Sequence, residues 1–297
     1  MTLNQTTTEE GVRLHRIGRL QGLSMKCFYI NMDKAASRKL NIENNFLANK
    51  TGDWSLSRFP AIDAEYVRAN KIAGNLSENQ KGCFLSHKFV IQKNIGSKAP
   101  ILIMEDDAIF GRSTCKALDN FIEMSAGQGW DILFTDVVVP QPEAMIELIR
   151  LRKKLYAEKQ TQILNLASLI FAGTTAYVLN PNSLGKIFNF LENIKSLDIP
   201  YDLYLRKLIH EGRLNGFVTF PFVTSLSSES DSSQIQSDET AHTDLVWNTF
   251  RKMIWMDRRI EDLKPVLEKI NRDVCDAESQ EFGIIISACI SGKFSQK

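Results

Sequence analysis

Three acidic residues in succession, Glu105, Asp106 and Asp107, directly follow the apolar run 101–104. Ligands of open α/β sheets bind at the carboxyl ends of strands, and adjacent carboxylates repel one another unless a positive charge neutralises them. The run therefore predicts a divalent cation held by oxygen ligands, with other positions left for water and phosphate. Because side chains alternate along a strand, Glu105 and Asp107 are expected on one side and Asp106 on the other. The alternative is an acidic strand end that caps the next helix.

A second polar group follows the first apolar run of the chain, 26–32. Asn31 is placed to hydrogen-bond a base or a ribose, and Arg38 is placed to pair with a phosphate. Asp33 lies between them in the same predicted turn. Asn and Asp after a strand are also common turn residues, which is the competing interpretation.

A third group is the sequence GCFLSH at 82–87, inside a predicted helix. Gly82 and the small polar side chains beside it would let a ligand approach the helix closely. His87 is a candidate ligand-binding residue, and the alternative is a structural histidine held by hydrogen bonds. Cys83 is interpreted as a small buried apolar residue.

The elements that must position these groups alternate between strand and helix. Short apolar runs predict strands at 26–32, 57–63, 100–110, 129–139, 168–181 (a glycine-interrupted pair) and 215–226. Helical spacing predicts helices at 33–50, 76–95, 143–160, 183–194, 202–211 and 244–273. Ser77 and Gln80 have the spacing of a capping box. This order favours an α/β fold with a mostly parallel sheet and a helical region after it.

The composition is that of a soluble globular protein, with 297 residues, a net charge of +1 and 43% hydrophobic residues. The near-zero charge argues against a nucleic-acid partner. The five cysteines are scattered without the spacing of a zinc site, and they suit a reducing compartment. The first 24 residues lack the apolar run of a signal peptide, and no apolar run has the length of a membrane-spanning helix. A cytoplasmic location is expected.

Five blocks in order give the sequence a resemblance to a known family: YINMDKAASRK, LSENQKGCFLSH, ILIMEDD, AGTTAYVLNP and IPYD. Together they resemble glycosyltransferase family 25, the family of bacterial lipooligosaccharide β-galactosyltransferases and collagen galactosyltransferases. The resemblance covers about residues 26–231. Met32 and Met104 stand where leucine is usual in the family.

The resemblance implies a GT-A type fold in which the three acids form a DxD-like motif. It implies that Asp107, together with Asp106, binds Mn²⁺ or Mg²⁺ bridging the diphosphate of a UDP-sugar donor. The residues expected to contact the donor and its cation are Asn31, Asp33, Arg38, His87, Glu105, Asp106, Gly173 and Thr174. The implied reaction is transfer of a sugar to a glycan hydroxyl with inversion at the anomeric carbon. The expected sugar is galactose, and the expected process is the synthesis of lipopolysaccharide or another surface polysaccharide.

Inverting transfer needs a base that takes the proton of the acceptor hydroxyl. The candidate is Asp202, because Pro200 sets a turn and Asp202 then opens a helix whose dipole favours a charged carboxylate. A plain N-cap is the alternative. Asp136, after the strand, is a second candidate base. Gly173 is expected in the sugar pocket because glycine permits close backbone approach, whereas Tyr177 suits either the pocket or the core.

The expected organisation is a flexible arm at 1–24, a catalytic domain at 25–240 and a helical region at 241–297. The polar tract 227–240 is interpreted as a mobile lid or as a linker. The amphipathic C-terminal region would dock on an anionic lipid surface, pack within the chain or form a homodimer. The expected acceptor is a glycan or a lipid-linked glycan. A peripheral position of the protein at the inner face of the membrane is a second expected location. Two alternatives remain: an inactive nucleotide-sugar-binding scaffold, and a metal-dependent phosphohydrolase that uses the same acids.

Overall fold

The computed structural model describes residues 24–125, 129–158, 160–227 and 241–291. The predicted N-terminal arm and the predicted lid lie outside these ranges, apart from Ser24 and Ser227.

The described strands are β1 (Lys26–Asn31), β2 (Ser55–Pro60), β3 (Ile101–Glu105), β4 (Ala108–Phe110), β5 (Ile132–Phe134), β6 (Gln162–Asn165), β7 (Ala176–Leu179), β8 (Gly216–Phe220) and β9 (Thr224–Leu226). The described helices are α1 (Ala36–Asn49), α2 (Ala64–Ala69), α3 (Glu78–Lys93), α4 (Thr114–Met124), α5 (Pro142–Glu158), α6 (Leu184–Glu192), α7 (Tyr201–His210), α8 (Ala241–Ile254), α9 (Ile260–Asp273) and α10 (Ala277–Cys289).

The central sheet has seven strands in the order β2-β1-β3-β7-β5-β8-β6. The pairings β2-β1, β1-β3 and β5-β8 are parallel, and only β7 and β6 run against the rest. The predicted α/β class with a mostly parallel central sheet and C-terminal helices is therefore confirmed. Strands β4 and β9 form a separate antiparallel pair.

Both faces of the sheet are covered, which explains why β3 is a continuous apolar run. Ile103 packs in the larger core cluster on one face, with Phe84 of α3. Met104 packs in the second cluster on the other face, with Phe46 of α1. Helix α3 starts at the predicted capping box: Ser77 Oγ accepts from Gln80 N, and Gln80 Oε1 accepts from Ser77 N at 3.0 Å.

Several predicted elements are wrong in extent. The predicted strand 100–110 divides at Asp106 and Asp107, because 108–110 leave the central sheet to pair with β9. The predicted strand pair at 168–181 is one strand, β7, preceded by a short 3₁₀ turn. The predicted helix 244–273 is two helices, since the chain turns where Met256 N bonds to Phe222 O.

The carboxyl edge of the sheet gathers the predicted site residues. Strands β1 and β3 end there at Asn31 and Glu105. Strand β7 runs in the opposite direction, so the residues just before it arrive at the same edge. Glu105 N donates to Thr175 O at 2.8 Å, which fixes the two segments together.

The C-terminal helices differ in how they pack. Phe250 and Ile254 of α8 belong to the larger core cluster. Helix α10 has no buried residue and exposes Phe282, Ile284 and Ile285. Within the described ranges, none of the helices combines the length and the apolar character needed to cross a bilayer.

Candidate active site

The carboxyl edge opens into two cavities of about 310 and 280 Å³, called here the first and the second cavity. The first lies beside the end of β1 and the second lies between β7, α7 and α8. Cys83, Glu105 and Asp107 line both cavities, so the two adjoin with these side chains between them, and together they are called here the cleft. Asp106 lines the first cavity only, which agrees with the alternation expected along a strand.

Both carboxylate oxygens of Asp106 are occupied. Oδ2 accepts a hydrogen bond from Asn31 Nδ2 at 2.8 Å, and Oδ1 accepts one from Arg38 Nη1 at 3.2 Å. Arg58 in turn donates to Asn31 Oδ1 at 2.9 Å and to Asp33 Oδ1 at 2.5 Å. Asn31 and Asp33 line neither cavity: Asn31 is buried and holds Asp106, whereas Asp33 is exposed and pairs with Arg58.

Asp107 differs from the other two acids in the partners of its side chain. Its Oδ1 is buried and has no hydrogen-bond partner among the described residues. Burial raises the pKa of Asp107 to about 7, and the charges of Glu105 and Asp106 add to the effect. Burial also raises the pKa of Asp106, and the bonds from Asn31 and Arg38 offset this only in part.

Glu105 is stabilised in its charged form. Its Oε1 accepts a hydrogen bond from Thr174 Oγ1 at 3.1 Å and lies 3.7 Å from His87 Nε2. Burial raises the pKa of Glu105, but His87, Thr174 and the charge of Arg251 together outweigh burial and lower it below its usual value.

The acids fit a divalent cation at Asp107. A buried carboxylate oxygen without a partner, next to a second charged carboxylate, is the environment that a hard cation satisfies. Glu105 would be the second ligand, and its carboxylate also lies within 4.8 Å of the ligand atoms of Cys83 and His87. Asp106 was predicted as a ligand too, but its oxygens are already bound to Asn31 and Arg38.

His87 is both structural and close to the cleft. The ring is fully buried, its Nδ1 lies 2.9 Å from Tyr177 Oη, and it stacks on Tyr201 at 4.4 Å. Its Nε2 has no hydrogen-bond partner among the described residues and lies on the Glu105 side. Tyr177 is buried and bonds to His87, so it belongs to the core and not to the sugar pocket.

Gly82 serves the packing of the chain. A Cβ at this position would lie 2.3 Å from Ile62 O, and Ser86 Oγ accepts from Ile62 N at 2.8 Å. Helix α3 thus fixes the loop at 61–63, which lines the first cavity. The interpretation that this glycine admits a ligand was wrong. Cys83 was expected in the core, but it is half-buried and lines the cleft.

Asp202 lies in the first turn of α7 and lines the second cavity. Its Oδ2 accepts a hydrogen bond from Gly173 N at 2.8 Å. Gly173 has a φ of +87°, a conformation that favours glycine. The N-cap position of α7 is taken by Pro200 without any side-chain cap, so the plain N-cap interpretation of Asp202 was wrong.

Asp136 reaches the site indirectly. It is fully buried, and its Oδ2 accepts a hydrogen bond from Arg251 Nη2 at 2.9 Å. Burial raises the pKa of Asp136, and the charge of Arg251 offsets the effect in part. Asp136 lines neither the first nor the second cavity.

Helix α8 supplies site residues that the sequence analysis missed. Asp244, Trp247, Asn248 and Arg251 line the second cavity. They follow the spacing i, i+3, i+4, i+7 of one helix face, and three polar residues with a tryptophan at that spacing were the available signal. The C-terminal region lies beyond the blocks that carry the resemblance, so nothing else in the sequence pointed to it.

The sequence matches the family model of glycosyltransferase family 25, described as LPS biosynthesis protein, over residues 25–205, which is more than half of the chain. The chain belongs to glycosyltransferase family 25. As a member of family 25, the protein is a glycosyltransferase, with a nucleotide-sugar donor and a glycan acceptor as its classes of substrate. The matched range contains the three acids and Asp202 but ends before α8.

No curated protein matches the chain. Among solved structures, the apo form of mouse xyloside xylosyltransferase 1 matches with 12% identity and a TM-score of 0.30. That match covers 64% of this chain and 70% of the mouse chain.

Proposed function

We propose that this family 25 enzyme transfers a sugar from a UDP-sugar to a glycan hydroxyl with inversion at the anomeric carbon. Galactose is the proposed sugar, and lipopolysaccharide or another surface polysaccharide is the proposed product. The observation that carries the proposal is the divided cleft. Glu105 and Asp107 lie at its centre, between a cavity at the end of β1 and a cavity that contains Asp202.

The first cavity suits the nucleotide part of the donor. It lies at the carboxyl end of β1, where α/β sheets receive nucleotides. Its walls include the apolar side chains of Ile30 and Ile62, which can pack against a uracil ring. Arg38 lines the same cavity and supplies positive charge for the diphosphate.

A Mn²⁺ or Mg²⁺ ion would be held by Asp107 with Glu105 beside it. When bound there, the ion supplies Lewis-acid stabilisation for the negative charge of the departing diphosphate. Asp106 has a different role in this proposal: it fixes Arg38 and Asn31 at the wall of the first cavity.

The second cavity suits the acceptor. The acceptor oxygen attacks the anomeric carbon from the face opposite to UDP, the bond to the UDP oxygen breaks, and its electron pair leaves with UDP. Asp202 takes the hydroxyl proton. The Gly173 N–H holds Oδ2 of this carboxylate, which leaves Oδ1 for the proton. Asp136 is bound to Arg251 outside the cavities, so the proposal assigns the base role to Asp202 alone.

A donor screen tests the proposed function. The purified chain is incubated with Mn²⁺ and, separately, UDP-galactose, UDP-glucose, UDP-N-acetylglucosamine and GDP-mannose, with a panel of methyl glycosides as acceptors. We expect UDP release and a glycoside product from a UDP-sugar, galactose first, and an anomeric configuration in the product opposite to that of the donor by NMR. Retained configuration, or consumption of no UDP-sugar, would contradict the proposal. Release of inorganic phosphate from UDP alone would favour the phosphohydrolase instead.

A further inference from the structure

One face of α8 is directed into the second cavity instead of into the core. Asp244, Trp247, Asn248 and Arg251 line the cavity, while Phe250 of the same helix packs in the larger core cluster. Gly173 and Asp202 line the same cavity.

Asn248 contributes an amide to the wall of the second cavity. It is 7% exposed, and its amide makes no hydrogen bond to another described residue. A carboxamide offers two donors and one acceptor. Its place in the cavity wall makes these groups available to a polar group of a bound ligand.

Trp247, the preceding residue, adds a flat apolar surface to the same wall. Its indole makes no hydrogen bond to another described residue. A pyranose ring has an apolar face of C–H groups and a rim of hydroxyls. An aromatic ring next to an amide presents the matching pair of surfaces.

Arg251 fixes this helix face relative to the reacting groups. Its Nη2 donates to Asp136 Oδ2 at 2.9 Å and to Thr175 Oγ1 at 2.7 Å. The backbone of Thr175 is bonded to Glu105 at the end of β3. Helix α8 is thus tied to the same edge of the sheet that carries the central acids.

The charges that line the second cavity restrict the kind of sugar that it can bind. Asp202 and Asp244 bring carboxylates to its wall in addition to the two acids that would hold the cation, whereas Arg251, the one arginine or lysine among its described lining residues, is paired with Asp136. An anionic sugar would meet like charges there.

We infer that α8 forms the acceptor subsite, and that this subsite takes an uncharged pyranose stacked on Trp247 with a hydroxyl bonded to Asn248. The inference rests on the proposed function, because it places the acceptor beside Asp202. Arg251 acts as a positioning residue that holds the helix face in place.

The test compares Trp247→Ala, Trp247→Phe and Asn248→Ala with Thr243→Ala, a variant of an exposed α8 residue away from the cavity. Binding of methyl β-galactoside, methyl β-glucoside and methyl β-glucuronide to protein loaded with UDP and Mn²⁺ is measured by saturation-transfer NMR. UDP binding is measured separately by calorimetry, and thermal melting confirms that each variant is folded.

We expect the wild type to bind a neutral glycoside and to reject the glucuronide. Trp247→Ala and Asn248→Ala should weaken glycoside binding about tenfold or more, Trp247→Phe should restore part of the loss, and UDP affinity should be unchanged in all variants. Unchanged glycoside binding in the two alanine variants, preference for the glucuronide, or no glycoside binding to the UDP-loaded wild type would each overturn the subsite. Failure of the wild type to bind UDP would overturn the proposed function itself.

Discussion

Glu105, Asp106 and Asp107 are chemically alike in the sequence, but the fold gives each a different environment. Thr174 holds Glu105, Asn31 and Arg38 hold Asp106, and Asp107 is left with a buried oxygen that has no hydrogen-bond partner in the described part of the chain. The alternation of the three along the strand could be predicted. The partners could not, because Asn31 is 75 residues from Asp106 and the contact arises only when β1 pairs with β3.

The Asp107 carboxyl predicts a pH dependence of stability in metal-free protein. Its folded pKa of about 7 lies above the ordinary value of 3.8. The group therefore contributes stability that is fully present below about pH 4 and is lost as the pH rises through about 7. Asp107→Asn should remove this loss. In EDTA, we expect the Tm of the variant to exceed that of the wild type at pH 8.5 by about 3 °C or more.

The same comparison at pH 4 supplies the control, because the wild-type carboxyl is then protonated and the advantage of Asp107→Asn should disappear. Melting curves of the two proteins that stay parallel from pH 4 to 8.5 would show that Asp107 is not the buried acid described.

Asp202→Asn tests the proposed base. The amide keeps the shape and can still accept from Gly173 N, but it cannot take a proton. We expect kcat to fall by about 10² to 10⁴, with UDP affinity unchanged. Asp262→Asn, which alters an exposed acid of α9, is the matched control and should keep full activity. An active Asp202→Asn enzyme would remove this residue from the chemistry.

The strands and helices could be predicted largely where a hydrophobic run or a cap decides them. Strand β3 and the capping box of α3 are examples. Prediction failed where pairing with a segment distant in the sequence decides the secondary structure. The segment 108–110 becomes β4 because it pairs with β9. The segment 162–165 becomes β6 because it pairs with β8. Neither pairing leaves a local signal.

The close approach of α3 to the loop at 61–63 gives a prediction for Gly82→Ala. The new Cβ would lie 2.3 Å from Ile62 O, so the helix and the loop must move apart. We expect a loss of about 1–3 kcal/mol in the free energy of unfolding, measured by urea denaturation. UDP affinity should fall as well, because Ile62 lines the first cavity.

Gly185→Ala is the matched helical control, since a Cβ there meets nothing within 4 Å. It should leave UDP binding intact and change stability by no more than about 1 kcal/mol, in the stabilising direction. Equal behaviour of the two variants would contradict the packing role of Gly82.

The assembled protein depends on a contact between segments far apart in the chain. Arg251 of α8 is 115 residues from Asp136, and both side chains are buried. The family resemblance could predict the sheet and its acids, but it ended before α8. An ion pair of this separation has no sequence pattern, which is why the four α8 residues in the wall of the second cavity were missed.

Arg251→Met should therefore destabilise the protein strongly, by about 3–5 kcal/mol, because it leaves Asp136 buried and unpaired. Adding Asp136→Leu should recover most of the loss, since a buried pair replaced by apolar groups is often neutral. Urea denaturation of the wild type, the two single variants and the double variant completes the cycle. If the loss of unfolding free energy in the double variant equals the sum of the two single losses, the two side chains do not interact.

The most direct test of the account measures UDP binding by calorimetry with Mn²⁺ and with EDTA, in wild type, Asp107→Asn and Asp106→Asn. We expect Mn²⁺ to strengthen UDP binding to the wild type and Asp107→Asn to lose this gain. Asp106→Asn should keep the gain while binding UDP more weakly, because Arg38 loses its charged partner. Equal UDP affinity of the wild type in Mn²⁺ and in EDTA, or a full Mn²⁺ gain in Asp107→Asn, would contradict the account.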